Sequence, residues 1–187
     1  MSFPRIETAR LMMRPFAADD VDELHRMWVD PGVRKFLWDD QIIPRETAVA
    51  IVEGSIDSFV KYGFGFWAVC FKDDPMLVGF GGLRHFTEDG GAASKVEILY
   101  GVEPEHWEKA IATEAARAVL RYGFEETGIE RIYASADPPN AASFRVMEKI
   151  GMKFARRMTI NELAAICYVI KREDYQPDAS TYLLRRK

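Results

Sequence analysis

Three stretches of the chain combine residue types that can do chemistry. The first, "EPEHWEKAIATEAARAVLRYGFEE" (103–126), runs from a loop into a long alanine-rich helix. A helix start exposes unpaired N–H groups and the positive end of its peptide dipoles. Trp107, Glu108, Lys109, Ala110, Ile111, Ala112 and Thr113 could therefore seat an anion such as a phosphate. Glu105 and Glu108 also have a plainer use there, since a carboxylate at that end gains about 0.3–1 kcal/mol from the dipole. The second stretch is "KVEILYG", where Glu97 sits in an otherwise apolar strand and can act as a general base or pair with a basic residue at the sheet rim. The third is "PNAASFRVMEKIGM". Asn140 suits a helix N-cap, and Ser143 follows one turn on, facing the same way. Tyr168, in "AAICYVIKRED", reads as a core strand aromatic with its hydroxyl at the edge.

Other chemistries lack their residues. His25, His85 and His106 fall in different elements, so no metal site is expected, and neither G-x-S-x-G nor a Cys/His signature occurs. Cys70 and Cys167 lie in apolar strand-like runs and are expected as reduced, structural thiols. A net charge of −4, with acids and bases interspersed, offers no nucleic-acid footprint. The longest uncharged apolar run, 62–71, has ten residues, short of the roughly 20 that span a bilayer. The start "MSFPRIETARL" has no apolar signal-peptide core, which points to a cytoplasmic protein without membrane or nucleic-acid partners.

The elements that must position these residues follow from periodicity. "ARLMMRPF" (9–16) reads as a strand, and Val21, Leu24, Met27 and Trp28 mark a helix over 19–30. "DPGVRKFLWDDQIIP" is expected as an irregular connector, and a second helix runs from Pro44 to a stop at Gly63. "FGFWAVCFK" (64–72) and "MLVGFGGLRHF" (76–86) form a hairpin, followed by a strand over 94–104. The next helix is expected from Trp107 to Thr127, with Ile111, Ala115, Ala118, Val119 and Tyr122 on its apolar face. Strand 131–138, helix 140–151 and strands 152–160 and 164–174 complete the order β-α-α-β-β-β-α-β-α-β-β, with 176–187 as an additional C-terminal tail. At 187 residues and 48% hydrophobic composition, this describes a single α/β domain whose mostly antiparallel strands become parallel at the 94–102/131–137 crossover.

With these pieces in order, the chain resembles the GNAT superfamily of N-acetyltransferases, in its ribosomal-protein (RimJ/RimL-type) branch. The resemblance runs through "TARLMMRPF", "DPGVRKFLW", "GFWAV", "VGFGGL", "EILYGVEPEHWEKAIATEA", "PNAASFRVMEKIGM" and "YVIKREDY", covering residues 7–175. It implies an α+β fold: a twisted mixed, mostly antiparallel sheet flanked by helices and splayed between the fourth and fifth strands, with acetyl-coenzyme A as co-substrate in the gap. Tyr100, Gly101 and Val102 would then lie along the pantetheine arm, the amides of 107–113 would face the diphosphate, and Asn140 and Ser143 would hydrogen-bond to the cofactor. Glu97 would deprotonate an amine acceptor, with Ser143 and Tyr168 the candidates for protonating the leaving thiolate. Trp28, Phe36, Leu37, Trp38 and Phe64 would line the acceptor's way in.

Three residues depart from the branch pattern. Where W-G-x-G-x-A-T-E-A is usual, this chain has Glu108 and Ala110, and Met147 stands where many relatives carry a tyrosine acid. A carboxylate within about 4 Å of a phosphate costs roughly 1 kcal/mol in bulk water. Glycine inside a helix costs up to about 1 kcal/mol per site, so restoring both glycines is expected to raise cofactor affinity and lower stability. The leading reading is an acetyl-coenzyme A-dependent N-acetyltransferase acting on a protein N-terminus or a small metabolite. An acyl-coenzyme A-binding or regulatory module of the same fold, a purely structural protein and a homodimer all stay open at this level.

Overall fold

A computed structural model describes residues 3–87, 94–160 and 162–185. The chain opens with a pair of antiparallel strands, β1 (Arg5–Glu7) and β2 (Leu11–Pro15), and three helices follow, α1 (Val21–Trp28), α2 (Pro31–Leu37) and α3 (Arg45–Tyr62). α3 ends where Gly63 turns left-handed at φ 77°, as its position predicts. The stretch expected as an irregular connector contains α2. Asp30 caps it by accepting from Gly32 N and Val33 N, and Pro31 takes the first helical position, where a missing N–H costs nothing.

Next come the hairpin β3 (Phe66–Phe71) and β4 (Asp74–Phe86), then β5 (Lys95–Val102), α4 (Ile111–Glu126), β6 (Arg131–Ala136), α5 (Ala141–Lys149), β7 (Lys153–Ile160), β8 (Leu163–Lys171) and β9 (Leu183–Arg185). Among the described residues they form one nine-stranded sheet in the order β7-β8-β6-β5-β4-β3-β2-β1-β9. Every adjacent pair is antiparallel except β5 and β6. The segment expected as an additional tail supplies β9, which pairs with β1 and adds an ion pair from Arg185 to Glu7; residues 186 and 187 of that tail lie outside the described ones. Neither β1 nor β9, at three residues each, is long enough to show a period in the sequence.

Both faces of the sheet are covered, which explains why β3 is apolar at every position instead of alternating. Phe66 and Ala68 face a core built with Val21, Leu24 and Trp28 of α1 and Ala48 and Val52 of α3. Trp67 and Val69 face the opposite core, filled by Ile111, Ala115, Val119 and Leu120 of α4. The small side chains of α4 let it lie close against the sheet. Neither cysteine is in a disulfide, both are buried, and burial pushes the Cys70 thiol up from its ordinary pKa. No helix among the described residues is long and apolar enough to cross a membrane.

Candidate active site

The parallel pair β5/β6 is short: only Val96 and Glu97 find partners, Ile132 and Tyr133, before the strands part. On its other edge β5 stays paired with β4 along its whole length, from Phe86↔Lys95 to Gly79↔Val102. Residues 98–101 therefore keep a backbone edge on the β6 side that no described strand pairs, and a cavity of about 1380 Å3 opens there. This exceeds the roughly 300–1,000 Å3 of pockets for drug-sized molecules and leaves room for an extended cofactor together with an acceptor. Tyr100, Gly101 and Val102 line one wall, while Ser135, Asp137, Asn140, Ser143 and Met147 line the other. Trp28, Phe36, Leu37 and Trp38 close the end formed by α1 and α2. Phe64, expected with them, is instead buried in the opposite core and packs on Tyr62 and His85.

The far end of the cavity is the start of α4, and it differs from the sequence expectation. The helix begins at Ile111, not Trp107, although Glu108, Lys109 and Ala110 all have good helix propensity. The reason lies in the backbone: Glu108 (φ 61°) and Ala110 (φ 60°, ψ 15°) are left-handed, the conformation that glycine adopts freely. The glycines are lost and their geometry is kept. Each such L-residue costs about 1–2 kcal/mol and persists only when its surroundings over-determine it. The surroundings do so from two sides. Trp107 donates its indole N–H to Val102 O at 2.8 Å and lies over Gly32, where a Cβ would come within 2.7 Å of the ring. Arg10 donates from Nη1 to Lys109 O at 3.0 Å and from Nε to Glu114 Oε2 at 2.7 Å. Glu114 also accepts from Thr8 Oγ1 at 2.6 Å and from Arg10 N at 2.9 Å. Burial alone would raise the Glu114 carboxyl, but these bonds outweigh it and hold the group below its ordinary range.

As a result, the N–H groups of residues 108–113 make no well-formed hydrogen bond to another described residue. Glu108, Ala110, Ile111, Ala112 and Thr113 line the cavity, with the Glu108 side chain exposed to solvent. Unpaired amides at a helix start beside left-handed residues are groups that can seat an anion. Arg145 and Lys149, four residues apart on α5, bring cations to the same cavity. Sequence reasoning missed this pair, and the signal was their i,i+4 spacing after the Asn140 cap.

Glu97 lies at the last paired position of β5, only 6% exposed, and accepts from Arg84 Nε at 2.6 Å; both side chains line the cavity. Glu97 thus has the basic partner expected of a rim glutamate and also lines the cavity. The Tyr100 hydroxyl reaches across to α5, 3.1 Å from both Ser143 O and Ser143 Oγ, and burial pushes its pKa up to about 12. Asn140 makes the cap, its Oδ1 accepting from Ser143 N at 3.1 Å. Tyr168 is not brought to the cavity: it donates to Glu148 at 3.2 Å and stacks on Phe144, burial and then that carboxylate raising its pKa. Met147, where a tyrosine acid was missed, is a buried part of the wall.

Comparison with known proteins yields consistent matches. The family model described as acetyltransferase (GNAT) domain matches residues 10–153. Uncharacterized N-acetyltransferase YnaD of Bacillus subtilis is 30% identical over 149 residues, 79% of this chain and 82% of its own. Among solved structures, an acetyltransferase (GNAT family) from Bacillus anthracis matches with a TM-score of 0.75 and 27% identity, over 90% of this chain and 99% of that one. RimL, a ribosomal-protein alpha-N-acetyltransferase in complex with coenzyme A, matches with a TM-score of 0.71 over 88% and 95% of the two chains, and at 16% identity it speaks for the fold alone.

Proposed function

The chain belongs to the GNAT acetyltransferase family, and from that premise we propose that its cavity binds acetyl-coenzyme A and passes the acetyl group directly to a primary amine, on a protein N-terminus or a small metabolite. The observation that carries this reading is the parting of β5 from β6 after Glu97, which joins unpaired amides at one end of a single cavity to a buried carboxylate and an aromatic wall at the other.

Bound there, acetyl-coenzyme A would supply a thioester carbonyl open to attack. The chain's own residues divide the remaining work. The open edge at residues 98–101 offers N–H and C=O groups to an amide-bearing arm, as an unpaired strand edge does for a peptide. The amides of 108–113, with Arg145 and Lys149, hold negative charge at the α4 end. Glu97 takes the proton of the attacking amine, directly or through water, while Arg84 holds the carboxylate in place. Ser143, hydrogen-bonded to Tyr100, gives a hydrogen bond to the departing sulfur, the task for which Tyr168 is out of reach. The aromatic end, Trp28, Phe36, Leu37 and Trp38, receives the acceptor. The ordered motifs from "TARLMMRPF" to "YVIKREDY" support the ribosomal-protein branch, and with it a protein N-terminus as acceptor.

Titration calorimetry with coenzyme A, followed by thiol-release assays over a panel of amines and N-terminal peptides, tests the reading. Binding heat and turnover with at least one amine are expected. No heat, and no competition by acetyl-coenzyme A for any probe of the cavity, would overturn it.

A further inference from the structure

We propose that Arg10 is the positioning residue of the amide turn before α4, holding residues 108–110 out of the helix so that the N–H groups of residues 111–113 stay free for the cofactor. The local sequence favours the opposite outcome. Glu108, Lys109, Ala110, Ile111 and Ala112 are mostly good helix formers, and nothing in their own chemistry prevents α4 from starting one turn earlier. Were it to do so, Glu108 and Ala110 would escape their left-handed φ values, and the N–H groups of Ile111 and its successors would find acceptors at residues 107–109. The N–H groups of residues 111–113 would be used up inside the helix, and the set of free amides would shift back one turn.

Arg10 prevents this from 99 residues away in the chain, through its bond from Nη1 to Lys109 O. Rotation of the peptide between Lys109 and Ala110 is what sets φ at Ala110. That peptide is trans, so its C=O and N–H point in opposite directions. Once the guanidinium fixes the Lys109 carbonyl on its own side, the Ala110 N–H is directed to the other, and Ala110 lines the cavity. The guanidinium is itself fixed: Glu114, in the first turn of α4, accepts from Arg10 Nε and Arg10 N, and Thr8 steadies the same carboxylate. Strand bend, turn and helix are thus tied at one point. The link to cofactor binding rests on the acetyl-coenzyme A reading given above; the link to turn geometry does not.

The test separates the two. Arg10→Met would be prepared in the native background and in the Glu108→Gly/Ala110→Gly background, where glycine tolerates left-handed φ and disfavours helix without help. In the native background Arg10→Met should shift the backbone NMR resonances of 108–110 to helical values and weaken coenzyme A binding by about tenfold, the loss of one charge-assisted bond's worth of positioning. In the glycine background the same substitution should leave the resonances in place and cost less than about twofold. Equal losses in both backgrounds, or unshifted resonances in the native one, would overturn the proposal. A native protein that binds no coenzyme A would overturn the functional reading instead, and the resonances would still decide the role of Arg10.

Discussion

Restoring glycine at both left-handed positions, Glu108→Gly with Ala110→Gly, should stabilise the protein and tighten coenzyme A at once. Each L-residue at φ near 60° costs about 1–2 kcal/mol relative to glycine. Glycine returns about 0.4–1 kcal/mol of that by widening the unfolded ensemble. The pair should therefore gain roughly 1.5 kcal/mol, which for a chain of this size is a rise in Tm of about 3–6 °C. Affinity should improve by about fivefold, the factor equivalent to removing one carboxylate about 4 Å from a phosphate in water. Sequence alone led to the opposite sign for stability, because it placed both residues inside α4, where glycine is costly; they precede it. Thermal unfolding at a fixed protein concentration and calorimetric titration with coenzyme A measure the two effects separately. A fall in Tm for the double variant would refute the claim that the turn is held against strain. Unchanged affinity alongside a higher Tm would show that the turn keeps its shape but that no phosphate approaches it.

Three other perturbations test the site. Glu97→Gln should lower turnover by roughly 10²–10⁴-fold with coenzyme A affinity nearly unchanged, and near-normal turnover would reduce Glu97 to a partner of Arg84. Tyr100→Phe and Ser143→Ala should each cost about tenfold or more in turnover, and the double variant little beyond either, because the two hydroxyls share one hydrogen bond; additive losses in steady-state kinetics would show that they act separately. The Glu114 carboxyl is held below its ordinary pKa of 4.5, so its stabilising effect is complete above that value and is lost as pH falls through the lower folded-state value. Stability curves of the native protein and Glu114→Gln should accordingly run parallel above about pH 5.5 and converge in acid, and parallel curves throughout would count against the Thr8–Arg10–Glu114 cluster.

Local preference and hydrophobic period determined a good part of this protein. α1, α3, α5 and the hairpin β3/β4 fall close to their expected places, since Val21, Leu24, Met27 and Trp28 can share a face only on a helix. The continuous apolar run 66–71 likewise requires a strand covered on both sides. Glu97 was legible as a candidate because it is a carboxylate in an otherwise apolar strand, whereas Tyr100 and Ser143 were named through the motifs that resemble the family's, and α2 could have been read from Asp30-Pro31 by its cap. Tertiary contacts decided the rest. Whether Tyr168 or Tyr100 meets Ser143 depends on which face of which strand borders the gap, and that follows from β6 pairing with β8 on one edge while leaving β5 on the other. Where α4 begins was beyond any local reading. Residues 108–110 carry helix-forming side chains, and the contacts that bend them away from the helix come from Arg10 and from a tryptophan seated on Gly32, partners that the chain meets only after the sheet has closed.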